Sequence, residues 1–423
     1  MVVTSRTTYG VHDKIVVTGI SLTSEGQWGD CGGAELGTCS SFAIGLSDDG
    51  NQIVMSSGAP LAPDALPPTP DFGRPSVFLR NVTVGTTEQL TPNLPAVDQY
   101  ASPQGEDASP ERNEVLFNTS INYQGGIDTN GVALDLYVKN WTTGVIELVS
   151  TSPSGAQGDG SSLQARFSPD GRYVVFLSSA GNLTSDNPLH FENMFLRDRA
   201  SGTTRRLSFP WQGGEFVTQP LFRSKPQMTA DNRHVVFSAS GARFTEDDDP
   251  AMGGIYDLDL VSHIVHLIPR ATDGGVLNAP AGQPTISADG RYLAFLSSAT
   301  NLMMNPGPLP AIFVQDRLTG ETINVSAPLG PVHSSIGAAQ SSIALSPDGT
   351  KVAFDWANYD ANDPTFAINE QVYTVALCMA APQMAAPVPS LSWLALGVFS
   401  AMLMVAALVE CYRNGVPLTR STQ

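Results

Sequence analysis

The stretch "FSPDGRYVVFLSS" at Phe167–Ser179 recurs almost unchanged as "ISADGRYLAFLSS" at Ile286–Ser298, 119 residues further on. Repetition at that distance constrains the fold more than any composition figure, because a repeated unit that cannot bury its own apolar face must stack on its neighbours. Four further copies follow the same pattern: "GLSDDGNQIVMSS" from Gly45, "DASPERNEVLFNT" from Asp107, "MTADNRHVVFSAS" from Met228 and "ALSPDGTKVAFDW" from Ala344. Aligned on the turn position, they place Gly50, Asn113, Gly171, Asn232, Gly290 and Gly349 in register, at steps of 63, 58, 61, 58 and 59 residues. Six units fill most of the chain.

Within a unit the order of signals is constant. A short strand runs into S-x-D-G, where the Asp accepts from backbone N–H groups and Gly or Asn supplies positive φ. An apolar strand such as "YLAFLSS" follows, apolar on both faces and so read as buried on both. After a polar loop come a third strand ("AIFVQDR", "NMFLRDR", "DLYVKNW"), a turn such as "LTGE", and a fourth strand ("TINVSA", "VIELVS"). Four antiparallel strands per unit and six units predict an all-β fold, a six-bladed β-propeller over 14–378. The blades are expected at about 40–94, 95–160, 161–218, 219–280, 281–338 and 339–378. The last unit stops one strand short, so the N-terminal strand at 14–22 is expected to complete it, with Val16–Ser21 antiparallel beside Val372–Leu377.

The segments "SPDGRYVVFLSSAGNL…NMFLRDRASGTTRRLS" and "SADGRYLAFLSSATNL…AIFVQDRLTGETINVS" resemble the WD-repeat-like propeller repeats of TolB-type proteins. The resemblance covers about Lys14 to Leu377 and is clearest in units three, five and six. It implies a six-bladed propeller on the extracytoplasmic side of a bacterial envelope. It does not carry over the TolB function, because no mixed α/β domain is visible before the first unit and propellers of one fold serve many activities.

Beyond the repeats, 379–390 is a Pro/Ala linker, "MAAPQMAAPVPS". Leu391–Val409 then runs nineteen residues without a charge. As a helix it would be about 28 Å long, against a bilayer core of about 30 Å, so it is read as a transmembrane helix ahead of a short tail, 410–423. No Lys or Arg lies between Lys351 and Arg413, whereas Arg413 and Arg420 follow the span. That places the tail in the cytoplasm and the propeller outside. The stretch "PVPSLSWLALGVFSAMLMVAAL" also resembles IPTL- and PEP-type C-terminal sorting signals of Gram-negative bacteria. The opening "MVVTSRTTYGVHDK" has no apolar leader core. Export therefore implies that the chain as read begins within a longer one; the alternative is a tail-anchored protein with a cytoplasmic propeller.

The net charge of −18 argues against nucleic acid as a partner. Cys31 and Cys39 flank a Gly-rich loop that a disulfide can close in an oxidising compartment, or they are two free thiols. No G-x-S-x-G elbow is present. His263 and His266 sit at i and i+3 of an expected strand, on opposite faces, which makes one a surface and the other a core histidine. No catalytic or cofactor-binding residue is assigned. The one ligand with candidate residues is Ca²⁺, for which oxygen ligands at short spacing are available in two loops: Asp128, Asn130 and Asp135 in one, Asp360, Asn362 and Asp363, with Glu370 beyond, in the other. The acidic run Glu246–Asp249 is a third group, and solvated turn residues explain all three equally well. The expected function is a non-catalytic cell-envelope propeller that binds a protein or glycan partner and meets the membrane through Leu391–Val409. Alternatives are a propeller-type hydrolase or lyase acting on a glycan or peptide in a central funnel, and a structural surface-layer component.

Overall fold

The structure, a computed structural model, describes residues 3–6, 16–19, 41–47, 49–57, 61–62, 76–91, 103–123, 129–187, 189–304, 306–307, 309–327, 343–358 and 369–377. They belong to two compact units, 1–268 and 269–423. Nearly all regular structure is antiparallel β, and the one helical element among the described residues is a 3-10 turn at Pro110–Arg112.

In the first unit, β1 (Val3–Arg6) and β2 (Val16–Gly19) form a hairpin. Four sheets follow. Sheet I holds β3 (Ser41–Leu46), β4 (Gln52–Ser57), β5 (Ser76–Asn81) and β6 (Thr86–Gln89); sheet II holds β7 (Gln104–Ser109), β8 (Glu114–Thr119), β9 (Asp135–Asn140) and β10 (Ile146–Leu148). Sheet III holds β11 (Ser162–Phe167), β12 (Tyr173–Ser178), β13 (Asn193–Asp198) and β14 (Thr203–Arg206). In sheet IV the first strand is broken into β15 (Leu221–Phe222) and β16 (Gln227–Met228), both paired with β17 (His234–Ser240); β18 (Gly254–Asp259) and β19 (Val265–Ile268) complete it. The second unit contains sheet V, with β20 (Ala281–Ile286), β21 (Tyr292–Ser297), β22 (Ala311–Asp316) and β23 (Thr322–Asn324). Sheet VI has β24 (Ile343–Leu345), β25 (Lys351–Asn358) and β26 (Asn369–Ala376). Each sheet is an up-and-down meander, the form taken by a propeller blade.

One expectation, on the two histidines, is corrected here. Val16–Gly19 pairs with Val3–Arg6. A hairpin between segments this close in sequence closes a short loop at small entropic cost. His263 lies in a left-handed turn (φ 60°) ahead of β19, and both His263 and His266 are exposed. The turn between β18 and β19 extends further than the sequence pattern suggested, so neither histidine enters the core.

The doubly buried strands are as their composition requires. On β12, Val174 and Phe176 pack toward sheet II with Leu116, Leu136 and Val138. Val175 and Leu177 pack toward sheet IV with Phe222, Phe237 and Tyr256. Alternation along one strand thus feeds two separate cores. Sheets I and II share Val54, Val77, Val115 and Phe117; sheets V and VI share Ala294, Ile312, Val352 and Phe354. Second and third strands repeatedly carry a stacked cross-strand aromatic pair: Phe117–Tyr137, Phe176–Phe195, Phe237–Tyr256 and Phe295–Phe313, with ring centroids 5.3–5.9 Å apart. Such pairs add to the area they bury. No described helix is long and apolar enough to cross a membrane, and Leu391–Val409 lies outside the described residues.

Candidate functional site

The six aligned turn positions all have positive φ, between 56° and 73°. In each S-x-D-G turn the Asp anchors the preceding hydroxyl and a following N–H. Asp170 Oδ1 accepts from Ser168 Oγ at 2.6 Å and Arg172 N at 3.0 Å; Asp289 does the same with Ser287 and Arg291. The Arg that follows then reaches the end of the third strand: Arg172–Asp198 at 2.8 Å, Arg233–Asp259 at 2.7 Å and Arg291–Asp316 at 2.6 Å. The Arg–Asp bridge is therefore a hairpin lock within one sheet, while Asp170 Oδ2 also accepts from Asn232 Nδ2 of the next turn at 2.7 Å. Arg172 beside Asp198 holds that carboxyl down at about 2. The Asn of "SSAGNL" and "SSATNL" is also structural: Asn182 accepts from Asp159 N and donates to Gln157 O, and Asn301 does the same for Asn278 and Val276.

Chemistry of another kind gathers on the first strands. In the first unit β3 lies against β7, β7 against β11 and β11 against β16. The approach is close enough that a Cβ on Gly45 would meet the Ala108 Cβ at 2.7 Å. These strands carry bulges. The register shifts between Gly105 and Asp107 in β7, and between Leu163 and Arg166 in β11; the gap from Phe222 to Gln227 is the counterpart in sheet IV. A bulge frees one residue from the ladder and re-aims its side chain. The residue seven before each aligned turn is Glu106, Gln164 or Lys225 in sheets II to IV, and Gln283 in sheet V. Gln164 and Gln283 hold φ of 51° and 53°.

At these bulges Glu106 ties three strands together. Its carboxylate accepts from Asn118 Nδ2 at 2.5 Å, Gln164 N at 3.1 Å and Lys225 Nζ at 2.6 Å; Lys225 also donates to the Glu106 carbonyl at 2.6 Å. Asp107, next in sequence, accepts from Phe167 N at 2.9 Å. Burial pushes the Asp107 carboxyl above the ordinary aspartate range, while Arg166, the Phe167 N–H and Lys225 pull the other way. The edge opens to solvent at Gln104 and Arg223. A half-buried group shifted by burial beside named charges is the kind that marks a working site.

Sequence reasoning passed over Glu106, Asp107 and Lys225. The signal that finds them is the turn alignment itself, read six and seven residues upstream, where a polar residue stands at the seventh position in sheets II to V and Ala43 in sheet I.

Of the predicted Ca²⁺ ligands, Asn130 and Asp135 are brought together. Buried Asp135 accepts from Asn130 Nδ2 at 3.1 Å, Ser150 Oγ at 2.9 Å and Gln157 Nε2 at 2.5 Å, all neutral donors. Asp128, Asp360, Asn362, Asp363, Cys31 and Cys39 lie outside the described residues. In the 246–249 run, buried Asp248 accepts from Phe244 N and from the Tyr256 hydroxyl at 2.8 Å. Among the described residues no group of three or more His, Cys, Asp or Glu is placed to hold a metal ion. A second surface feature is the segment 209–221, where Phe209, Trp211, Val217 and Leu221 are all exposed.

The stacked four-stranded meanders define the class: an all-β chain of β-propeller type. No family model and no curated protein matches the sequence. Among solved structures, the chain is similar to TolB from Acinetobacter baumannii at 15% identity and TM-score 0.42, over 72% of this chain and 57% of that one. It is also similar to an oligogalacturonate lyase in complex with manganese at 15% identity and TM-score 0.47, over 80% and 75%. A third is a puromycin-hydrolysing peptidase from Mycobacterium tuberculosis, at 15% identity and TM-score 0.46, over 81% and 44%. The chain thus spans little more than half the length of that TolB. The sheets described above carry the propeller assignment by themselves.

Proposed function

We propose that this chain is a non-catalytic, six-bladed propeller over about residues 14–378 that binds a protein or glycan partner along the first-strand edge of sheets II to IV. It acts at the cell envelope, anchored through Leu391–Val409. Supporting the blade count are the six aligned turns. The anchoring rests on the uncharged span and the Arg residues after it.

The observation that carries the binding reading is the pairing of charge at that edge. Glu106 is engaged by a cation and two amide donors. It is thus a fixed part of a preorganised polar surface and not a free acid or base. The test is capture from an envelope extract by the immobilised chain, against a Gln104→Trp variant. Gln104 is exposed at the start of β7, so the bulky ring covers the edge without entering the core. The wild type is expected to retain a component that the variant loses. Equal retention by both would sink the reading.

A catalytic alternative draws on Asp107, the one carboxyl of the cluster that burial pushes toward the protonated form. It requires turnover of a glycan or peptide that vanishes in Asp107→Asn.

A further inference from the structure

Segment 209–221, which runs from the end of sheet III into β15, is fixed on its inner side and apolar on its outer side. Phe216 is buried in the core between sheets III and IV, its ring centroid 5.4 Å from that of Phe244. The enclosed Arg206 guanidinium donates to both Glu215 oxygens, at 3.0 and 2.9 Å, and lies over the Phe209 and Phe216 rings. Trp211 N donates to Arg243 O at 3.0 Å and Thr218 Oγ1 to Gly241 O at 2.8 Å, which ties the segment to the β17–β18 loop. With the backbone held in this way, Val217 is 95% exposed and Trp211 44%, and Phe209 and Leu221 are exposed beside them. Single exposed apolar side chains are ordinary. Several on one short fixed segment, a Trp among them, are what a partner covers.

The rim of this patch is acidic. The β17–β18 loop carries Glu246, Asp247, Asp248 and Asp249 against one cation, Arg243, and Arg243 Nε already lies 3.7 Å from Asp248. Glu246, Asp247 and Asp249 are exposed. Apolar surface beside net negative charge complements a segment in which Lys or Arg alternates with large apolar residues. An anionic lipid surface is repelled by the same carboxylates, and a sugar would leave hydroxyls unmet against Val217 and Leu221.

We infer that segment 209–221 and the acidic β17–β18 loop form a second docking surface, for a basic amphipathic segment of a protein partner. Trp211 and Val217 take its apolar residues, and Glu246, Asp247 and Asp249 face its cations. This surface does not rest on the first-strand edge reading.

Fluorescence anisotropy with the full chain tests this, using a labelled amphipathic peptide of Leu and Lys. One twin carries Ser in place of Leu and another Glu in place of Lys. The Leu/Lys peptide is expected to bind, the Ser twin to bind about tenfold or more weakly, and the Glu twin not to bind. Trp211→Ser combined with Val217→Ser should weaken the Leu/Lys peptide about tenfold and leave the Ser twin unchanged. Val145→Ser, an equally exposed valine in the β9–β10 turn, should change nothing. Glu246→Gln combined with Asp249→Asn leaves the apolar segment intact and should weaken binding and flatten its salt dependence; this variant carries the test if melting shows that the Trp211, Val217 variant does not fold. Equal binding of the Leu/Lys peptide and the Ser twin would overturn the surface, because it would show only attraction to an acidic chain. Affinity unchanged in both double variants, or an equal loss in Val145→Ser, would overturn it too. So would tighter binding of anionic vesicles or of a neutral oligosaccharide than of the peptide. Self-association of the chain that is abolished by the Trp211, Val217 variant would assign the patch to a second copy and overturn the basic partner.

Discussion

The hairpin ends of the sheets and their first-strand edges are built on opposite plans. At the hairpin ends, Asp170, Asp231 and Asp289 make the same turn, and Arg172, Arg233 and Arg291 make the same bridge, each inside one sheet. At the first-strand edge the equivalent position is Glu106, Gln164 or Lys225, and the bonds run between sheets. Repetition serves what every sheet needs for itself. Variation appears where sheets meet and where a partner can be read.

The comparison breaks most completely where neither end is involved. Phe176 is fully buried in the stack between sheets II and III and rests against Phe195. Phe176→Ala is expected to cost about 3–5 kcal/mol, from lost transfer energy and the cavity left behind. Denaturant melts of the chain check it, and a loss below about 1 kcal/mol would mean that the sheets are not packed as described.

Next in size is the edge itself. Lys225→Met leaves the buried Glu106 carboxylate without its cation. Removing one partner of a buried pair costs about 3 kcal/mol, whereas replacing both is close to neutral. Glu106→Gln combined with Lys225→Met is therefore expected to recover most of the loss. A double variant no better than the single one would show that the two residues are not coupled.

Asp107 sharpens the contrast through pH. Because burial raises its carboxyl pKa in the folded state, folding favours the protonated form. Its contribution is whole below the unfolded value of about 3.9 and is lost as pH rises through the folded value. Asp107→Asn keeps an acceptor for Phe167 N and carries no charge. Its melting temperature relative to wild type should therefore climb as pH is raised from about 4 to 7; a flat difference across that window would contradict a disfavoured carboxylate.

The same asymmetry explains what the sequence could and could not disclose. Turn chemistry is local, so Gly50, Asn113, Gly171, Asn232, Gly290 and Gly349 all stood in register and all proved left-handed. Doubly apolar strands are equally plain, and β12 packs on both faces as its composition demands. The edge cluster was hidden for two physical reasons. A bulge breaks the two-residue period that strand reading relies on, and the "QGEDAS" of β7 shows no apolar alternation. Moreover, Glu106 and Lys225 lie 119 residues apart and meet only because sheets II to IV bring their first strands together.

The smallest effect is expected at the motif most visible in the sequence. Arg172 is about half exposed, and its bridge to Asp198 competes with water. Exposed pairs contribute little, so Arg172→Ala should lower stability at neutral pH only slightly, less than any variant above. The pH dependence has the opposite sign to that of Asp107. Asp198 is held down at about 2, so the bridge stabilises fully above the unfolded value of about 3.9 and fades as pH falls through about 2. Wild type and Arg172→Ala should therefore converge in acid and separate toward neutrality, and should bind any partner alike. A loss of partner binding in Arg172→Ala would erase the distinction between the two ends, because it would give the repeated lock a share in recognition.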